Sequence, residues 1–166
     1  MRLFSEINKM VPAAQDRISA LVRQTPLEYS HFLSRETDGG VYLKLENFQK
    51  TGSFKIRGAA NSILSEANRG RQLVTASTGN HAHACACLFD HLNIDGTIYV
   101  PETVSPSKLE QLQTYGVCLK KHGKDCVETE LFAKGAAEEQ GAAYISPYND
   151  PAVIAGQGTV GMELAA

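Results

Sequence analysis

One lysine, Lys55, stands where helix electrostatics disfavour a cation. The run Thr51-Gly52-Ser53-Phe54-Lys55-Ile56-Arg57-Gly58-Ala59-Ala60 reads as a glycine turn, a serine N-cap at Ser53 and the opening of a helix. Apolar Ile56, Ala59, Ala60, Ile63, Leu64 and Ala67 recur on one helical face, and Gly70 follows the expected end. The first turn of a helix carries partial positive charge, so a carboxylate suits it better than an ammonium. An amine held there beside an apolar ring, here Phe54, spends more time neutral. A neutral lysine amine is a nucleophile that can form a Schiff base. The competing reading is a solvated surface lysine, which the local pattern alone leaves open.

Flanking residues narrow the choice. Lys44-Leu45-Glu46-Asn47 leads into the Lys55 run, and Ala76-Ser77-Thr78-Gly79-Asn80-His81-Ala82 follows it. A third run, Asp150-Pro151-Ala152-Val153-Ile154-Ala155-Gly156-Gln157-Gly158-Thr159, reads as the start of another helix. Together these resemble the serine/threonine dehydratase and serine racemase group of pyridoxal-phosphate enzymes, which share the tryptophan synthase β-subunit fold. The likeness runs from about Gln24 to Ala166, with three motifs in family order, and spans the N-terminal half of that fold.

The resemblance implies pyridoxal 5'-phosphate as cofactor and an amino acid as substrate. Lys55 would hold the cofactor covalently and, once displaced by the substrate, take the Cα proton. Phe54 would pack against the pyridine ring. Ser77, Thr78, Gly79 and Asn80 would receive the substrate carboxylate on the N–H groups that open a helix. Asn80 would also bond the cofactor's phenolic oxygen. Loss of the β-hydroxyl of L-serine or L-threonine would leave an aminoacrylate-type product that hydrolyses to a 2-oxo acid and ammonia. Racemases of the group carry serine where this chain has Thr78. Threonine keeps the hydroxyl but restricts χ1 and adds a methyl, which favours dehydration over racemisation. His81 receives no proton-transfer role, and Arg35 and Arg57 read as ordinary solvated or ion-paired residues. Two alternatives stand beside the dehydratase: a serine racemase, and a catalytically silent truncated family member.

Behind Lys55, short strands and helices alternate. Strands are expected at 73–76, 96–100, 117–120 and 143–146. Helices are expected at 81–91, from Pro106 behind a Ser105 cap to before Gly116, and from an Asp125/Glu128 capping box to about Gln140. Such alternation means an α/β fold with open parallel sheets and flanking helices. The resemblance divides it into two lobes and truncates it. Residues 1–76 and 153–166 would form an incomplete large cofactor lobe, and residues 77–152 a small α/β lobe. The family's glycine-rich phosphate loop would lie past Ala166. The 166 residues alone are therefore expected to lack that anion nest, to be poorly stable and to be inactive. Gly156-Gln157-Gly158-Thr159-Val160-Gly161 matches a dinucleotide fingerprint, but no clear strand precedes it, and it reads as helix packing.

Composition bounds the partners. Hydrophobic residues at 43% and charged residues at 20% describe an ordinary globular chain rather than a disordered one. A net charge of −2 without a basic stripe argues against nucleic acid. No apolar run approaches a membrane span, and residues 1–10 fit neither a secretory nor a transit signal. A cytoplasmic protein follows, homo-oligomeric when full length. Cys85, Cys87, Cys118 and Cys126 lack framework spacing and read as free thiols. His81 and Cys85 share one helical face, and His83 and Cys87 another. Each face offers only two ligands, so no metal site is expected.

Overall fold

The computed structural model describes residues 2–166. Helix α1 (Arg2–Ile18) comes first, followed by strand β1 (Leu27–Tyr29), helix α2 (His31–Thr37) and strand β2 (Tyr42–Lys44). β1 and β2 pair antiparallel, Leu27 opposite Lys44. Ser30 starts α2 by accepting from the N–H of Leu33, and Asp38 closes it in the left-handed region. Lys44, the last residue of β2, opens the Lys44-Leu45-Glu46-Asn47 run.

Helix α3 (Lys55–Ile63) bears the lysine. It begins one residue later than a Ser53 cap would place it. Phe54 is the N-cap, and Ser53 Oγ instead accepts from the N–H of Lys55 at 3.4 Å. It also ends sooner than expected. Leu64 is its C-cap, a 3-10 turn covers Glu66–Asn68, and Gly70 sits at φ +71° in the turn that leads to the sheet. Asn68 explains the break, because its side-chain amide donates to the carbonyl of Ser62 at 2.8 Å and anchors the turn there.

The remaining elements alternate: β3 (Leu73–Ala76), α4 (Asn80–Leu92), β4 (Gly96–Val100), α5 (Pro106–Gln113), β5 (Cys118–Lys121), α6 (Cys126–Glu139), β6 (Ala143–Tyr144) and α7 (Pro151–Ala165). The four strands form one parallel sheet in the order β5-β4-β3-β6. β5 lies one residue later than expected. β6 stops at Tyr144, because Ser146 Oγ turns back to accept the N–H groups of Tyr148 and Asn149. β3 is bonded on both edges inside this sheet, to β4 and to β6. Asp125 caps α6 through Val127 and Glu128, while Glu128 reaches back to the N–H of Lys124, completing a capping box one residue wider than the usual one.

Alternation along the strands fills two cores. Leu73, Ile98 and Val100 face α3, α4 and α5, joining Ile56, Ala59, Ala60, Ala82, Cys85 and Leu88. Val74, Ala76 and Tyr99 face the opposite way, onto Ala133, Ala136 and Ala137 of α6. α7 returns across α3 at close range. A Cβ on Gly156 would lie 2.5 Å from the carbonyl oxygen of Arg57 and 2.7 Å from the Cα of Gly58. The glycine run in α7 is thus a helix crossing. Among the described residues no helix is long and apolar enough to cross a membrane.

Candidate active site

The chain runs from β3 to β4 to β5 on one side of β3 and then places β6 on the other. That reversal creates a topological switch point between β3 and β6. In open parallel sheets the crevice at the carboxyl ends of the strands flanking such a point is where ligands bind. Two segments line it here. Residues 77–80 follow β3 and open α4, and residues 145–150 follow β6 and open α7.

Lys55 reaches this crevice from α3. Its Nζ donates to the carbonyl of Pro147 at 2.7 Å and lies 5.6 Å from the centroid of the Phe54 ring. Among the described residues it makes no ion pair with a carboxylate, so no charge partner must be broken before the amine can react. Phe54 is 41% exposed. Ser77 and Thr78 are half-buried, whereas Gly79 and Asn80 are exposed. Gly79 is the N-cap of α4 and no side chain caps that helix. Ser77 Oγ accepts from the N–H of Gly79 at 3.2 Å, which tightens the turn.

His81 stands one turn behind this surface, 2% exposed. Its Nε2 lies 3.1 Å from Thr75 Oγ1, and the Thr75 hydroxyl donates to the carbonyl of Ile145 at 2.8 Å. The hydroxyl proton is thereby committed, so Nε2 carries the imidazole proton and donates. Burial pushes the imidazole down to about 4, opposed by the Ile145 carbonyl and aided by the nearby Lys55 charge. A neutral imidazole pinned between the two switch-point segments is a spacer. Cys85, one turn on, lies 3.5 Å from Nε2, and its thiol is pushed strongly upward by burial. Among the described residues no three His, Cys, Asp or Glu side chains converge as a metal site would require.

Behind Lys55 lies a polar cluster that the sequence reading missed. Arg57 is fully buried, not solvated. Its Nε and Nη2 bond both oxygens of Glu46 at 2.9 and 2.8 Å, and Nη1 bonds Glu163 at 2.6 Å and Thr159 at 3.2 Å. Glu163 also pairs with Lys44. Burial disfavours the charge on Glu163, yet Arg57 and Lys44 hold its carboxyl below the ordinary value. Burial likewise opposes the Arg57 charge, and the two glutamates more than restore it. The signal was present in α7, where Gly156, Thr159 and Glu163 recur at helical spacing on the face toward α3. Arg35, by contrast, is exposed and pairs with its neighbour Glu36.

Residues 18–166 match the family model for pyridoxal-phosphate dependent enzymes. The chain belongs to this family. A catabolic L-threonine dehydratase of Staphylococcus aureus is 43% identical over 157 residues, covering 93% of this chain and 45% of the relative. Maize serine racemase superposes with a TM-score of 0.85 at 37% identity, over 94% of this chain and 48% of that one. The processed form of threonine deaminase isoform 2 from Solanum lycopersicum gives 0.86 at 33% identity, over 96% and 45%. The chain thus spans about half the length of these relatives, and its fold is the corresponding part of the two-lobed tryptophan synthase β-like architecture.

The site's own donors suit the family's cofactor. Pyridoxal phosphate requires an amine free to bond its aldehyde carbon, a flat apolar wall and N–H donors for anionic groups. Lys55 has an amine bonded to a carbonyl and Phe54 an exposed ring, so these two would meet the first and second needs. Gly79 leaves the mouth of α4 clear, since a Cβ there would meet no heavy atom within 4 Å. No side chain caps the early N–H groups of α4.

Proposed function

We propose that this chain supplies the lysine-bearing part of an enzyme that dehydrates and deaminates a β-hydroxy amino acid, L-threonine or L-serine, to a 2-oxo acid and ammonia. The observation that carries this reading is the Lys55 amine. It lies in the switch-point crevice, bonded to a carbonyl and not to a carboxylate. Pyridoxal phosphate bound there supplies the electron sink for a negative charge developing at the substrate Cα.

This chain's residues would do the rest. Lys55 Nζ holds the cofactor and, when displaced, accepts the Cα proton. Phe54 excludes water from one ring face. The turn at Ser77, Thr78, Gly79 and Asn80 binds the substrate carboxylate with its N–H groups, and the Asn80 amide donates to the cofactor's phenolic oxygen. The hydroxyl of Thr78 could also serve reprotonation at Cα, as a racemase requires, and the likeness to maize serine racemase favours testing it. Its β-branch favours dehydration. The proposal includes a homo-oligomer, a cytoplasmic setting suited to four free cysteines, and two lobes, residues 1–76 with 153–166 and residues 77–152.

Lys55→Ala in the complete enzyme tests the assignment. It should abolish the visible band of the protein-bound cofactor and lower turnover by several orders of magnitude. An unchanged band with undiminished turnover refutes it. Chiral chromatography of the products separates the two chemistries, because a dehydratase releases 2-oxo acid much faster than D-amino acid.

A further inference from the structure

We propose that Tyr148 and Glu130 are positioning residues for the Lys55 amine, acting through the carbonyl of Pro147. The proposal builds on the role given to Lys55 above. The Pro147 carbonyl is the amine's hydrogen-bond acceptor at 2.7 Å, and it belongs to the short loop of residues 146–150. That loop is pinned at both ends. Ser146 Oγ gathers the N–H groups of Tyr148 and Asn149, at 3.4 and 3.0 Å. Asp150 caps α7 through Ala152 and Val153, and accepts from Ser62 of α3 at 3.4 Å. Its middle is fastened by one side chain. The Tyr148 phenol donates to Glu130 Oε2 at 2.6 Å, and Glu130 Oε1 pairs with Lys134 at 2.7 Å, one turn further along α6.

The geometry gives these bonds a direction. α6 packs on the face of the sheet opposite α3, so the loop is gripped from one face by Lys55 and from the other by Glu130. Lys134 also lies 5.4 Å from the ring centroid of Tyr144, the residue that ends β6 and leads into the loop. Glu130 is mostly buried, its side chain 16% exposed, so its position is set by packing in α6. The Tyr148 bond transmits that position to Pro147. Neither residue touches the amine. Their effect is to fix where the acceptor stands, and so how firmly Nζ is docked while it is not covalently engaged.

The test reads the amine itself. The cofactor-free protein is treated with formaldehyde and cyanoborohydride, and methylation at Lys55 is measured by mass spectrometry against exposed Lys108. Tyr148→Phe and Glu130→Ala should each raise the Lys55-to-Lys108 ratio about two- to fivefold, the change expected from one exposed bond to a carboxylate. The double variant should show no more than either single one, because both remove the same bond. An unchanged ratio in both variants overturns the proposal, as does an additive double variant. Equal acceleration of both lysines with a lowered melting temperature also overturns it, since that pattern reports general loosening. The readout is independent of the cofactor. If Lys55 methylates as expected but the complete enzyme gives no Lys55-dependent band with pyridoxal phosphate, the assigned function fails and the docking result stands.

Discussion

Arg57→Met removes a guanidinium that joins three parts of the chain and leaves a stem of similar length. Arg57 sits two residues beyond Lys55 on α3, with no exposed surface. Its loss strands Glu46 and Glu163, whose side chains are 14% and 4% exposed. Removing one partner of a buried ion pair costs about 3–5 kcal/mol. Both carboxylates retain some compensation, since Thr25 Oγ1 donates to Glu46 and Lys44 pairs with Glu163. The lower end of that range is therefore expected, about 3 kcal/mol. At about 2–4 °C per kcal/mol for a domain of this size, the melting temperature should fall by roughly 6–12 °C.

The assay is a urea and thermal melt of Arg57→Met beside Arg57→Lys and Glu163→Gln. Lysine keeps the charge but lacks the fork that spans both oxygens of Glu46, so it should recover only part of the loss. Glu163→Gln should cost less than Arg57→Met, because it unpairs the guanidinium from one carboxylate and leaves Glu46 in place. A loss below about 1 kcal/mol in Arg57→Met, the scale of an exposed pair, would refute the claim that this cluster clamps α3 to α7.

Glycine substitutions in α7 should divide by what faces them. Gly156→Ala meets the backbone of α3 and should cost about 1–3 kcal/mol, whereas exposed Gly161→Ala meets nothing within 4 Å and should gain about 0.5–1 kcal/mol, both read by urea melts. Acidification should expose His81. Its folded value, lowered to about 4 from 6.5, means that the unfolded chain binds the extra proton first as pH falls. Stability is therefore complete above about pH 6.5 and declines toward pH 4 by about 3 kcal/mol, and His81→Gln should flatten that slope. Glu163 and Glu130 have lowered values, Glu130 through Lys134 and Tyr148 against the opposing effect of burial. Their contribution is present above the ordinary carboxylate range and disappears as pH falls through the lowered values, so Glu163→Gln should soften the acid limb of a pH melt.

Elements with local punctuation were legible in the sequence. β3 and β4 fall where short runs rich in apolar and β-branched residues lie between turns, and α5 starts at the Ser105-Pro106 signal. Asp125 and Asp150 each cap a helix through two N–H groups, as their spacing to the following apolar run suggests. The 51–60 and 77–80 runs were legible as helix starts for the same reason, since each is contiguous in the chain. The end of α3 was misjudged because apolar periodicity continues through Leu64 and Ala67. Only a side-chain bond from Asn68 to Ser62 diverts the backbone, and periodicity carries no record of it.

Arg57 marks the limit of such reading. Beside Lys55 in a helix, an arginine is a strong helix former and an exposed residue by default. What buries it is the meeting of Glu46, eleven residues earlier, with Glu163, 106 residues later. Neither acid is unusual where it stands. The cluster exists because Gly58 and Gly156 let α3 and α7 approach closely enough for one guanidinium to reach both. Small residues at the crossing thus determine which charges become internal, and internal charges need partners. The same reasoning links function to packing. Lys55 gains a defined place in the crevice because the helix that carries it is locked from behind at its third residue, and the loop that receives its amine is locked in front by Ser146, Asp150 and Glu130.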